Sequence, residues 1–109
     1  MQYEVDLQGF KEWLEHFTQD AIVGRKGSAT SCPVYNYLHD TDRKVCYVTT
    51  HTIYQDKIGK HFGLTPKAIG EFIQAIDAEP SINFVDESLN ITAKRALEIF
   101  EQVCQKYVQ

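Results

Sequence analysis

The chain has 109 residues, room for one domain over 1–109 and no second, since domains typically run to about 100–150 residues. Its 43% hydrophobic and 24% charged residues, with only six Gly and three Pro, exclude a disordered tail or a fibre. No apolar run approaches the roughly 20 residues of a membrane span, and Glu4 and Asp6 stand where a secretory signal would be basic and then apolar, so a soluble cytoplasmic protein with no membrane partner is expected.

The formal net charge of −4 is unevenly spread. Residues 25–67 hold seven basic side chains against three acidic ones, while the stretches on either side each carry a net −4. A fold that gathers the basic middle on one side would present an anion-facing patch; mutual neutralisation in space is the alternative. Cys32, Cys46 and Cys104 are odd in number and none is spaced as Cys-x-x-Cys, so neither a disulfide framework nor a zinc site is indicated, and a reducing compartment is expected.

In chain order, Asp6 can cap a first helix whose Leu7, Phe10, Leu14 and Phe17 share one face, widened by Trp13. Small and polar residues from Asp20 to Ser31 predict a loop. Ser31-Cys32-Pro33 then opens a short helix through Val34, Tyr35 and Leu38 that ends at Asp40-Thr41-Asp42. The β-branched and aromatic run 45–54 predicts a strand or a bent hairpin, with Gln2–Val5 and Ile82–Val85 as possible partners. A short helix before Gly63 precedes a further helix with Thr65 as cap and Pro66 at its first position, carrying Ala68, Ile69, Phe72, Ile73 and Ile76 and stopping near Glu79-Pro80. The last helix, capped by Asn90 or Thr92, carries Ala93, Ala96, Leu97, Phe100, Val103, Cys104 and Tyr107 as an apolar stripe, with Lys94 and Glu98 at four-residue spacing. The sum is an α+β domain, mostly helical, around a small antiparallel sheet or hairpin.

The segment Ile58–Ile73 resembles the helix-turn-helix of DNA-binding proteins: Gly59 is small where two helices would cross, Gly63 suits the turn, and Leu64, Ile69 and Phe72 would fill the space between. The resemblance implies Thr65, Lys67, Gly70, Glu71 and Gln74 facing a major groove, with Lys57 and Lys60 near phosphates. That face lacks an arginine for guanine and carries a glutamate that repels phosphate. Ala21–Gly27 is similar to the Gly-x-x-Gly loop of KH domains, with Arg25 and Lys26 between its glycines, but Pro33 interrupts the helix that fold requires.

No catalytic constellation is found. Cys32 beside a helix N-terminus would have a lowered pKa, yet His16, His39, His51 and His61 are scattered with no spacing that marks a base. No His-x₃-His or clustered carboxylate set points to a metal, and no cofactor is implied. The aromatic set Trp13, Tyr35, Tyr37, Tyr47 and Tyr54 suits either a protein-binding surface or closure of the core. The expectation is therefore a small non-enzymatic binding or regulatory module that contacts a protein partner or a second copy, with Trp13, Tyr35, Tyr37 and Tyr54 as contact residues. The alternative is a nucleic-acid-binding regulator using residues 58–73, with Arg25, Lys26, Arg43, Lys44, Lys57, Lys60 and Lys67 on phosphates and Thr65 and Gln74 toward bases.

Overall fold

A computed structural model describes residues 5–41, 45–55, 62–78 and 90–106. Among these residues, helices α1 (Leu7–His16), α2 (Pro33–Thr41), α3 (Lys67–Asp77) and α4 (Ala93–Cys104) pack with two small antiparallel sheets. One sheet pairs β1 (Ile22–Arg25) with β5 (Asn90–Thr92), and the other runs β2 (Tyr47–Val48), β3 (Thr52–Tyr54), β4 (Phe62–Leu64). The expected α+β domain with mostly helical content is what forms.

Local chemistry explains the element boundaries. Asp6 Oδ1 accepts the Gly9 N–H at 3.1 Å and starts α1; Thr92 Oγ1 accepts the Arg95 N–H at 3.2 Å and starts α4. The run 45–54 bends into a hairpin because the Thr49 side chain closes it, accepting from the Thr52 N–H at 2.9 Å and the His51 N–H at 3.2 Å. Each helix then contributes at least one ring to a single cluster. Phe10 of α1 lies with ring centroids 5.3 Å from Tyr37 of α2, 5.3 Å from Phe72 of α3 and 5.1 Å from Phe100 of α4. The last two are edge-on, the geometry in which ring quadrupoles attract.

Three expectations need correction. The predicted loop 20–31 contains β1, because Ile22 and Val23 are β-branched and find a partner in β5, a strand where only a helix cap was expected. Thr65 does not cap α3: its hydroxyl donates instead to the Thr49 carbonyl at 2.9 Å, and Pro66 occupies the cap position without a side-chain bond. Gly63 is not a left-handed turn residue but a buried strand residue opposite Ile53, and among the described residues only Gly27, at φ 69°, is in that region. The short helix expected before Gly63 falls on 56–61, outside the described residues, as do Gln2–Glu4 and Ile82–Val85; the described Phe62–Leu64 is strand.

Candidate functional site

Strands have a two-residue period, so the register of β2, β3 and β4 sorts their side chains into two faces. Val48, Ile53 and Gly63 are paired across the sheet and buried against the core. Tyr47, Tyr54 and Phe62, paired in the adjacent row, form an aromatic line on the other face. Tyr47 and Tyr54 stack with centroids 4.2 Å apart and planes 22° from parallel, and Phe62 follows at 6.0 Å. Phe62 is 55% exposed and Leu64, two residues on, is 51% exposed.

Beyond Leu64 the face runs into a groove of about 550 Å³ between the sheet and α3, lined by Thr50, His51, Leu64, Thr65, Lys67, Gly70, Glu71 and Gln74. Gly70 is what lets the helix lie so close, since a Cβ there would sit 2.7 Å from the Thr50 carbonyl oxygen. Lys67 and Gln74 are exposed on the groove's helical wall. Glu71 Oε2 is buried without a hydrogen bond among the described residues and lies 3.9 Å from Lys106 Nζ.

The sequence-predicted contact residues are thus divided. Tyr54 lies on the open sheet face. Trp13 and Tyr37 belong to the ring cluster, 5.7 Å apart, and the Trp13 indole N–H donates to Asp40. Tyr35 is half-buried and stacks on His39. Of the basic set, Lys26 is only 8% exposed and Arg25 is a half-buried strand residue; Lys57, Lys60, Arg43 and Lys44 lie outside the described residues. Thr65 is buried, Lys67 and Gln74 flank the groove, and Ile69 and Phe72 of the same helix are fully buried. Gly24 of the KH-like segment is a strand residue crowded by Pro33 and Ser31, so no phosphate backbone can approach it. Phe62 and Leu64 were missed as contact residues; their signal was apolar alternation around a glycine, a two-residue period inside a segment read as helical.

Cys32 also departs from expectation. At 4% exposure, burial raises its thiol above the ordinary 9.0, outweighing the Tyr35 N–H that donates to its sulfur at 3.4 Å; the Asp77 carboxylate adds to the rise. Burial likewise raises Cys104 and Tyr37. A thiol whose folded pKa is raised stabilises the fold fully below its unfolded pKa, and that contribution is lost as pH climbs above it. The melting temperature is therefore expected to fall above about pH 9, the ordinary thiol value, with Cys32→Ser flattening part of that slope. Iodoacetamide at pH 8 is expected to alkylate native Cys32 at least about 10-fold more slowly than in the urea-unfolded chain, read by peptide mass mapping; equal rates would contradict the burial.

Among the described residues no group of three or more His, Cys, Asp or Glu is placed to hold a metal ion, and no helix is long and apolar enough to cross a membrane. The site is thus a half-apolar sheet face with an adjoining groove on a small α+β domain. Comparison with protein-family models, curated proteins and solved structures finds no match to this chain.

Proposed function

We propose that this chain is a small protein-binding module that contacts its partner through the outer face of β2–β4. The observation that carries the reading is the joint exposure of Phe62 and Leu64 beside the Tyr47–Tyr54 stack. Large apolar side chains grouped on one face are costly in water, at about 25 cal/mol per Å², and such grouping marks contact surfaces. Aromatic anchors next to partly wetted tyrosines have the composition of binding hot spots.

A nucleic-acid reading has less to support it. The helix that would enter a groove buries Ile69 and Phe72 and presses Gly70 onto Thr50. Lys26 is withdrawn from phosphate.

The test is site-resolved photo-crosslinking in the native cell with benzoylphenylalanine placed singly at Phe62, Leu64 or, as control, the exposed Lys94 of α4. The expected result is one discrete protein adduct from positions 62 and 64 and none from 94, abolished when Tyr54→Lys is placed in the same chain as the probe. Equal labelling from all three positions, or adducts to nucleic acid, overturns the reading.

A further inference from the structure

The partner's chemistry can be taken further, resting on the docking reading above. β4 is the terminal strand in the order β2-β3-β4. The Thr65 N–H donates to the His51 carbonyl at 3.0 Å, and Gly63 pairs with Ile53. Backbone groups in an antiparallel pair alternate between facing the partner strand and facing away. With Gly63 and Thr65 turned toward β3, the N–H and C=O of Phe62 and Leu64 point away from it, along an edge that no other strand among the described residues pairs. Among the described residues, none of the backbone bonds outside helices and strands engages either residue. The opposite edge is covered, because the Val48 N–H donates to the Ala29 carbonyl at 2.9 Å.

Natural edges are blunted by charge, proline or a covering loop, whereas this one shows Phe62 and Leu64 on one face. Charge selects what would pair with it. The residues of β2, β3 and β4 carry no charged side chain themselves, so the charge nearest this edge is that of the groove. Lys67 and His51 are exposed at the groove, while its acid, Glu71, faces Lys106. We infer that β4 accepts an extended acidic peptide segment as an added strand, its alternate apolar side chains meeting Phe62 and Leu64 and its carboxylates reaching Lys67 and the groove.

The probe is a pool of fluorescein-labelled eight-residue peptides alternating Asp or Glu with Val, Ile or Phe, measured by anisotropy on the full chain in low salt. Comparison pools carry Lys in place of the acids, or are N-methylated on alternate amides so that a strand bond cannot form. The acidic pool is expected to bind at least about 10-fold more tightly than either comparison pool, and Leu64→Lys and Lys67→Glu are each expected to weaken it about 10-fold. N-methylated peptides that bind equally overturn strand addition while leaving the face as a docking site. Equal binding of acidic and basic pools overturns the charge assignment. A concentration-dependent dimer in sedimentation that Leu64→Lys abolishes gives the edge to a second copy, and retention of oligouridylate in place of peptide gives it to nucleic acid; either overturns the proposal. If no pool binds while the adducts from positions 62 and 64 form, strand addition alone has failed; if those adducts are also absent, the docking reading has failed with it.

Discussion

Phe10→Ala is expected to lower the stability of this fold by about 4 kcal/mol, near the upper range for emptying a buried aromatic site. Phe10 is 0% exposed, and its ring contacts rings from α2, α3 and α4 in addition to Trp13, 6.1 Å away on its own helix. Removing it leaves a cavity that no single neighbour can fill, because Phe72 and Phe100 already pack edge-on to each other at 5.6 Å. Domains of this size are stable by only about 5–15 kcal/mol, so the variant should melt about 15 °C lower. Phe62→Ala, at a ring more than half exposed, should cost about 1 kcal/mol or less. Urea unfolding followed by Trp13 fluorescence measures both, since Trp13 is the chain's one tryptophan. Costs of similar size for the two variants would mean that the four helices do not meet at Phe10.

The contrast between these two phenylalanines also shows what could be read before folding and what could not. Helical periodicity placed Phe10, Phe72 and Phe100 on apolar stripes, and the cap at Asp6 and one at either Asn90 or Thr92, of which Thr92 forms, were recognisable because an oxygen three residues ahead of a free amide is a local signal. Non-local pairing was invisible. β1 ends at Arg25 and β5 begins only at Asn90, and each is too short to announce itself; only their meeting satisfies both backbones. The same blindness affected the site. Tyr54 was identifiable as an aromatic in a strand-like run, but Trp13 and Tyr37 have the same composition and lie in the ring cluster. Whether a tyrosine closes a core or faces water depends on which side of a sheet or helix the distant chain covers. Thr65 illustrates the point for polar groups: its hydroxyl had a good local use as a cap, and a carbonyl 16 residues earlier in the chain outcompeted it.

Gly24→Ala is expected to cost about 3 kcal/mol, although alanine normally stabilises by restricting the unfolded chain by about 0.4–1 kcal/mol. The added methyl carbon would lie 2.6 Å from the Pro33 nitrogen and 2.7 Å from the Ser31 carbonyl oxygen. Both are backbone atoms, held by structure on either side: Pro33 begins α2, and the Ser31 carbonyl accepts the Arg25 N–H at 2.9 Å and the Asn36 amide at 3.2 Å. Relief requires β1 to move off α2, which also strains the Asn36 bond to the Val23 carbonyl at 2.8 Å and the pairing of Gly24 with Ile91. Gly27→Ala is the informative control. It has a positive φ and nothing within 4 Å of a Cβ, so its cost is backbone strain alone, about 1 kcal/mol. Denaturant titration should therefore rank Gly24→Ala well above Gly27→Ala, and the reverse order would place the close approach elsewhere. The consequence reaches the docking face, because the loop that leaves β1 carries Ala29, whose carbonyl holds the Val48 amide and covers the β2 edge. Displacing that loop would uncover a second strand edge on the same sheet, and a soluble fraction that falls faster than stability alone explains is the expected sign of it.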